Sequence, residues 1–212
     1  MSALRADRPP PPVPDRLSHA ALREAVQSCR ACDLWEGATQ AVMGEGPKDA
    51  SLMLVGEVPG DKEDLQGHVF VGPAGAVLDT GLEQAAIVRD EVYMTNVVKH
   101  FRYEIRGKRR IHQKPDRWQV SACRPWFEAE LALVKPAALV CLGAVAAQAL
   151  IGPDIRIGRD RGQPIDSDLA ELVIVTAHPS SILRAPDTRA REAAMKQFVS
   201  DLRSVKQWLS TR

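Results

Sequence analysis

The chain has 212 residues, of which 45% are hydrophobic and 26% are charged, and its formal net charge is only +1. This composition suits one compact domain with a sizeable core, and any attraction to an anionic partner must come from locally concentrated charge. No apolar stretch reaches the roughly 18 to 20 residues that cross a bilayer, and the first residues lack a signal-peptide core. We therefore expect a cytosolic (cytoplasmic) protein that has no membrane partner.

The chain begins with a proline-rich segment, with prolines at positions 9–12 and 14. Proline has a fixed φ and no backbone N–H, so this segment cannot form a helix or a central strand. We expect residues 1–16 to be an extended, disordered tail and residues 17–212 to be a single domain.

Beyond the tail, predicted strands and helices alternate along the chain. Ser18 is a candidate N-cap for a short amphipathic helix. Apolar runs predict buried strands over residues 51–55, 92–98, 137–142 and 172–177, and helical patterns cover residues 74–86, 117–134, 144–150 and 188–209. This order predicts an α/β fold, a three-layer αβα sandwich with a central, mostly parallel four-stranded sheet.

Polar residues follow the predicted strands where each strand ends. Glu57 follows the first strand, Asn96 lies at the end of the second, and His178 follows the fourth. Ligands of open parallel sheets bind beyond the carboxyl ends of the strands, so we expect these residues to meet at one rim. Glycines near residues 56–60 and 72–75 allow close backbone approach to a base or a phosphate. A structural turn would use them equally well, and Glu57 alone could be a capping carboxylate.

A basic stretch covers residues 99–117 and carries eight Lys or Arg against two acidic residues. Gly107 and Pro115 predict a loop, and its local charge indicates an anionic partner. The alternative is a solvated loop that contacts nothing. His112 is the residue in this stretch that can act as a nucleophile or proton carrier near neutral pH.

The chain contains four cysteines. In a protein expected to be cytosolic, they favour a metal or cluster site over a disulfide framework. Cys29 and Cys32 form a C-x-x-C chelating pair, but zinc would normally require a second close pair, which the sequence lacks. Cys141 lies in an apolar run and is expected to be a core residue.

Taken in order, these motifs resemble the uracil-DNA glycosylase superfamily, and most closely its iron-sulfur, family 4-like branch. Within that branch, the segment Lys108-Arg109-Arg110-Ile111-His112 is similar to the loop of the X-type enzymes (UdgX), which become covalently joined to uracil-containing DNA. The other matching segments are Gly56-Glu57-x-Pro59-Gly60, Phe70-Val71-Gly72-Pro73-Ala74-Gly75, Thr95-Asn96-Val97-Val98-Lys99 and His178-Pro179-Ser180-Ser181-x-Leu183-Arg184.

The resemblance implies a uracil pocket. An enzyme that works on a base takes it out of the stack and reads its edge. Gly56 and Phe70 would line the pocket, with Phe70 stacking on the base, and the Asn96 amide would read the uracil edge and exclude cytosine. His178 would donate a hydrogen bond to the uracil oxygen that gains negative charge. Taken alone, Asn96 and His178 could each be turn residues.

The resemblance further implies that His112 replaces water at the electron-poor sugar carbon, with Glu57 orienting it or accepting its proton. The product would be a stable covalent adduct, so each molecule would act once. Two departures from the X-type pattern are Val58, where glutamine is usual, and a slightly shorter loop before His112. DNA contacts are implied for Lys108, Arg109, Arg110, Ser180, Ser181 and Arg184.

The iron-sulfur branch implies a 4Fe-4S cluster held by Cys29, Cys32, Cys123 and His100, the last at a position where cysteine is usual. We expect a monomer that acts on uracil in single-stranded and also in double-stranded DNA, at the nucleoid. Two other functions remain open. One is a conventional glycosylase that turns over many times, and the other is a noncatalytic module that binds uracil or lesions.

Overall fold

The computed structural model describes residues 8–212, so residues 1–7 of the predicted tail lie outside the described residues. From position 8 to position 18 the chain forms no helix or strand. Val13 and Leu17 nevertheless pack against the core, and Arg8 forms an ion pair with Glu36 at 3.3 Å. This part of the proline-rich segment therefore follows the surface of the domain.

Short strands and helices alternate through the rest of the chain. In chain order they are α1 (His19–Val26), β1 (Leu52–Gly56), α2 (Asp61–Gln66), α3 (Pro73–Gln84), β2 (Val92–Asn96), β3 (Tyr103–Arg106), β4 (Arg109–His112), α4 (Arg117–Val134), β5 (Ala138–Leu142), α5 (Ala144–Leu150), α6 (Ile157–Asp160), β6 (Pro164–Ile165), β7 (Leu172–Thr176), α7 (Pro179–Leu183) and α8 (Thr188–Ser210). The Ser18 side chain accepts a hydrogen bond from the Ala21 amide at 3.1 Å, so the predicted N-cap of α1 is confirmed.

The central sheet has the strand order β2-β1-β5-β7-β6. The first four strands pair in parallel and are buried along their whole length, as predicted. The prediction of four strands is wrong, because β6 adds an antiparallel fifth strand beside β7. With only two residues, β6 is too short to give a periodic apolar signal, and its proline is tolerated because it lies at the sheet edge.

The sheet is covered on both faces. Met53 and Val55 of β1 belong to the same apolar cluster as residues of α1, α4 and α5. Leu52 and Leu54 face the other way and join residues of α3 and α8. Alternate side chains of a strand point to opposite faces, so both faces of β1 are apolar and the predicted three layers are present. None of the described helices combines the length and the apolar character needed to span a membrane.

The basic stretch contains a β-hairpin rather than an irregular loop. Strand β3 pairs antiparallel with β4, and Gly107 has a φ of +59° in the two-residue turn between them. Both strands are short and mostly exposed, so no apolar alternation distinguishes them from a loop. The hairpin places His112 at the last residue of β4, directly opposite Tyr103.

Backbone hydrogen bonds extend the sheet at the carboxyl ends of its strands. Val97 N donates to the Gly56 carbonyl at 3.0 Å, and Val98 N donates to the Glu57 carbonyl at 3.1 Å. On the other side, Gly143 N donates to the Thr176 carbonyl at 2.9 Å. These bonds fix the backbone from which the candidate side chains project.

Candidate active site

Gly56, Phe70 and Asn96 meet at the end of β1. A Cβ atom at position 56 would lie 2.3 Å from Asn96 Oδ1 and 2.8 Å from Phe70 Cζ, so only glycine allows both groups to approach this closely. Asn96 is 3% exposed, and its hydrogen bonds within the described chain use its backbone. The buried amide therefore keeps both a donor and an acceptor for a ligand.

The Phe70 backbone is held in an uncommon conformation. Its φ is +52°, which is rare for an aromatic residue. Its carbonyl oxygen would lie only 1.8 Å from a Cβ atom at position 75, where the chain has Gly75. The Arg89 guanidinium donates to the carbonyls of Val69 and Phe70 at 3.3 and 3.4 Å. Strained residues persist where their surroundings enforce them, and here the result is a ring directed at Gly56.

His178 is the N-cap of α7, and its ring is neutral. The Nδ1 atom accepts a hydrogen bond from the Ser180 amide at 3.1 Å and lies 2.8 Å from Ser180 Oγ. Because a backbone N–H can only donate, the ring proton is on Nε2. Burial lowers the pKa of His178 to about 4, with smaller contributions from His112 and Arg184. At neutral pH, Nε2–H is thus a donor available to a ligand.

The predicted DNA contacts Ser180 and Ser181 both support the turn at His178. Ser180 contacts the His178 ring, and Ser181 Oγ donates to the His178 carbonyl at 2.7 Å. Their hydroxyl groups therefore have partners within the protein.

Glu57 presents a buried carboxylate oxygen without a partner. Its Oε1 atom makes no hydrogen bond within the described chain. Burial raises the pKa of Glu57 to about 7, although Lys114 and Arg184 act to lower it. A carboxyl group that titrates near neutral pH in a concave rim is a candidate acid or base. The neighbouring Val58 is buried in the apolar core, so its replacement of the usual glutamine removes a polar group from this region.

His112 is exposed as a residue, and its ring lies 6.3 Å from the Phe101 ring. Desolvation of the imidazole lowers its pKa, Arg184 lowers it further, and Glu63 acts in the opposite direction. The imidazole is therefore neutral near pH 7, as a nitrogen nucleophile requires.

Arg184 follows α7 at the surface, and it is an electrostatic neighbour of all three predicted catalytic groups. Its positive charge acts to lower the pKa values of Glu57, His112 and His178. These three residues, which are far apart in the sequence, therefore all lie within electrostatic range of one guanidinium.

Glu63 is a further candidate site residue that the sequence patterns do not single out. It is 7% exposed, and its Oε1 atom accepts a hydrogen bond from the Gly72 amide at 2.8 Å. Its carboxylate is the one that acts to raise the pKa of His112. In the sequence, Glu63 lies in a run of four charged residues that is typical of a solvated helix face, so no local signal distinguishes it.

The predicted role of Arg110 as a DNA contact needs correction. Its Nε donates to Asp61 Oδ1 and its Nη1 donates to Asp64 Oδ2, both at 2.7 Å. Its guanidinium also lies over the rings of Phe101 and Tyr103. Arg110 therefore faces the protein and anchors β4 to α2. The reason is spatial, because the two aspartates that attract it come from a helix more than 40 residues earlier.

The basic stretch exposes less charge than its composition indicates. Lys99 is fully buried and lies 2.5 Å from Glu130, while Arg102 pairs with Asp116 at 2.8 Å. Lys108 and Arg109 are exposed at the hairpin turn. They are the strongest remaining candidates for contacts with an anionic strand.

Three predicted cluster ligands, Cys29, Cys32 and Cys123, are buried and close enough to influence one another. Burial raises the pKa of Cys32 to about 11 and that of Cys123 to about 12, and nearby cysteines add to both shifts. Trp126 Nε1 donates to Cys29 Sγ and the Lys99 amide donates to Cys123 Sγ, each at 3.3 Å. These N–H groups would also stabilise thiolate ligands.

His100, the fourth predicted ligand, is 5% exposed, and burial lowers its pKa to about 4. Arg30, within the C-x-x-C pair, lowers it further, so His100 lies in electrostatic range of that pair. No three His, Cys, Asp or Glu side chains among residues 8–212 converge tightly enough for a single metal ion. A 4Fe-4S cluster needs a wider set, because each ligand binds a different iron. Cys141 is fully buried in β5, as predicted.

These side chains lie beyond the carboxyl ends of the strands, where the ligands of open α/β sheets bind. Comparison with known sequences identifies the family. Residues 43–203 match the model described as the uracil DNA glycosylase superfamily. The chain belongs to that superfamily, as the motifs predict.

The chain is similar to type-4 uracil-DNA glycosylases from several organisms. The protein of Thermotoga maritima is 35% identical over 176 residues, which cover 82% of this chain and 88% of that protein. The protein of Pyrobaculum aerophilum is 33% identical over 175 residues, covering 79% of this chain and 86% of the relative. That of Sulfurisphaera tokodaii is 32% identical over 176 residues, covering 79% and 77%.

Proposed function

We propose that this chain is a uracil-DNA glycosylase, which is the activity that its superfamily and its type-4 relatives support. The observation that carries the proposal is the convergence of the Asn96 amide and the Phe70 ring on Gly56. A flipped uracil needs an aromatic platform and a group that both donates and accepts at its edge. The buried amide and the ring supply these two functions.

Bond cleavage would use His178. As the bond between the sugar C1′ and uracil N1 breaks, both electrons leave with the base and a uracil oxygen gains negative charge. The neutral ring with its proton on Nε2 would donate a hydrogen bond to that oxygen, and Ser180 would hold the ring in this tautomer. A neutral donor suits this role, because it stabilises the leaving base without having to transfer a proton.

Uracil release from a labelled single-stranded oligonucleotide tests the proposal. We expect His178→Ala, which removes the Nε2–H donor, to slow the reaction about 100-fold or more, by analogy with the loss of one oxyanion donor. His68→Ala is the matched control, because His68 is exposed and pairs with Glu45 at the surface. Absence of uracil release by the unaltered chain, with DNA binding retained, would instead favour a noncatalytic uracil-binding module.

We further propose that the strand is held by Lys108, Arg109 and Arg184, the exposed cations at the hairpin turn and after α7. Such contacts act on phosphates and position the strand without reading its sequence. Ser180 and Ser181 would act indirectly, by supporting His178. Exposed cations near the rim could serve single-stranded and double-stranded DNA alike.

The residues present fit a 4Fe-4S cluster, because three buried cysteines in mutual electrostatic range combine with N–H donors aimed at two of their sulfurs. Cys29, Cys32 and Cys123 would hold it as thiolates, and His100 would hold it through a neutral imidazole. When bound, the cluster would supply a structural cross-link. It would tie the segment after α1 to α4 and to the segment between β2 and the hairpin.

A finer proposal is that His112 captures the sugar. The support is its neutral imidazole at the end of β4, beside the same Arg184 that influences Glu57 and His178. After the C1′–N1 bond breaks, the lone pair of one ring nitrogen would form a bond to C1′. The proton on the other ring nitrogen would pass to the Glu57 carboxylate, whose raised pKa suits it as an acceptor. An imidazole bonded to C1′ is a poor leaving group, so the adduct would persist.

A denaturing gel with single-stranded uracil DNA separates capture from ordinary turnover. Capture predicts a shifted band that survives denaturation, disappears in His112→Ala and remains in His68→Ala. Release of many uracils per protein molecule without such a band would refute capture. That result would leave the chain as a conventional glycosylase in which His112 has another role.

A further inference from the structure

Lys99 and Glu130 form an ion pair that is completely removed from solvent. Both side chains are 0% exposed, and Lys99 Nζ lies 2.5 Å from Glu130 Oε2. Burying two charges costs free energy that their attraction only partly returns, and apolar residues of similar size often replace such pairs without loss of stability. Stability alone therefore gives no reason for an ion pair at this position.

The Lys99 ammonium also reaches the backbone of the uracil-reading residue. Besides Glu130, its Nζ donates to the Asn96 carbonyl and to Thr95 Oγ1, each at 2.7 Å. The three donors of an ammonium group are thus all used. Asn96 is the last residue of β2, which lies at the edge of the sheet beside β1, and the ammonium adds a fixed contact to its backbone carbonyl.

Glu130 is itself held from several directions. Its Oε1 atom accepts hydrogen bonds from the Gly44 amide at 2.7 Å and from the Tyr93 hydroxyl at 3.1 Å. Thr95 Oγ1 donates to Oε2 at 2.8 Å. Because every contact comes from buried groups, the carboxylate has little freedom to move, and it fixes the ammonium in turn.

We propose that Lys99 and Glu130 are a positioning pair that holds Asn96 in register for reading uracil, an inference that rests on the proposed glycosylase function. The tolerance for movement is small, because Asn96 Oδ1 already lies 2.3 Å from where a Cβ at position 56 would be. An error of about 1 Å in a substrate-positioning group can cost about 100-fold in rate. The pair would therefore act on base recognition without touching the base.

The test separates positioning from stability. Lys99→Met alone leaves Glu130 buried without a counter-charge and is expected to lower the melting temperature strongly. The double variant Lys99→Met/Glu130→Leu removes both charges, so its melting temperature should recover in part; the rest is lost because the Gly44 amide and the Tyr93 hydroxyl no longer have their acceptor. The double variant still lacks the donor to the Asn96 carbonyl. Its single-turnover rate of uracil excision should therefore remain about 10- to 100-fold below that of the unaltered chain, the range expected when a substrate-positioning group is displaced by up to about 1 Å. Affinity for an oligonucleotide without uracil should change little, since the exposed cations that contact phosphates are intact.

Recovery of the excision rate together with the melting temperature would refute the inference, because the pair would then be purely structural. Glu130→Gln provides a second test that changes few atoms, and Glu128→Gln is its matched control on the exposed face of the same helix. Equal excision rates for these two variants would also refute the inference. Iron content should be retained in every variant, because the hydrogen bond to Cys123 Sγ comes from the Lys99 backbone amide and survives each substitution, although the Lys99 variants lose a charge that acts to lower the pKa of that thiol. Loss of iron would mean that the pair acts through the cluster ligands instead.

These outcomes are distinct from failure of the proposed function. If the unaltered chain releases no uracil, the glycosylase proposal itself fails. If the unaltered chain is active and the double variant equals it, only the positioning role is refuted.

Discussion

Gly56→Ala is the smallest substitution that should disable the proposed uracil pocket. The added methyl would lie 2.3 Å from Asn96 Oδ1 and 2.8 Å from Phe70 Cζ. Ordinary van der Waals contact begins near 3.4 Å, so the amide must retreat by about 1 Å and the ring by about half that. A shift of this size in a positioning group costs about 100-fold in rate, and overpacking of this kind typically destabilises by about 1–3 kcal/mol. We therefore expect a folded protein with about 100-fold slower uracil excision.

Single-turnover excision and thermal melting, measured on the same preparation, test this prediction. Gly158→Ala is the matched control, because a Cβ there meets no atom within 4 Å and the residue lies in α6. It should leave excision unchanged and should not lower stability, since alanine favours helix over glycine. If Gly56→Ala excised uracil within about threefold of the unaltered rate, the premise of a 100-fold positioning penalty would be wrong.

Three further predictions follow from the site. Because burial raises the pKa of Glu57 from 4.5 to about 7, the folded chain binds a proton more tightly than the unfolded chain, and stability is lost as pH rises through this interval. Glu57→Gln should therefore raise the free energy of unfolding by about 3 kcal/mol above pH 7 and leave it unchanged below pH 4.5. The same substitution should slow uracil release. Urea denaturation at pH 4 and at pH 8 tests the pH dependence, and an equal gain in stability at both pH values would contradict the prediction. Lys108→Ala should reduce the slope of log binding constant against log salt concentration for single-stranded DNA by about 0.7. Arg110→Ala should leave that slope unchanged. It should instead destabilise the fold by about 3 kcal/mol, because it leaves a buried aspartate without its counter-charge. Cys123→Ser should lose bound iron while Cys141→Ser keeps it; iron analysis decides, and iron retained by both would refute the ligand set.

The sequence predicts those parts of the fold that depend on neighbours along the chain. The helices over 117–134 and 144–150 have the predicted limits, because apolar periodicity and strong boundary residues agree there. The predicted strand over 92–98 ends earlier, at Asn96. Val97 and Val98 still donate hydrogen bonds to the chain after β1, so their apolar character reflects burial without regular strand structure. The apolar character of a segment predicts that it is buried, whereas the residue at which a strand ends depends on its pairing with the neighbouring strand.

The parts that could not be predicted depend on contacts between distant segments. From the sequence, Arg110 is predicted to be an exposed cation, but in the fold it pairs with Asp61 and Asp64. Lys99 is likewise predicted to be part of a basic surface, but in the fold it is packed against Glu130, which lies 31 residues later in the chain. In both cases residue type indicates charge correctly, and only the fold determines whether solvent or a carboxylate meets that charge.

The candidate site concentrates features that each work against stability. Phe70 has a positive φ, Glu57 has a buried oxygen without a partner, and the half-buried imidazole of His178 resists protonation. Each of these features lowers the stability of the fold, and a position without a function could be filled by a residue that avoids this cost. A bound base would contact all three groups. It would cover the Phe70 ring, accept a hydrogen bond from the His178 imidazole and occupy the space beside the Glu57 carboxyl group. The same features therefore predict where the chain should gain stability on binding uracil, and Asn96, held in place by the buried ammonium of Lys99, lies among them.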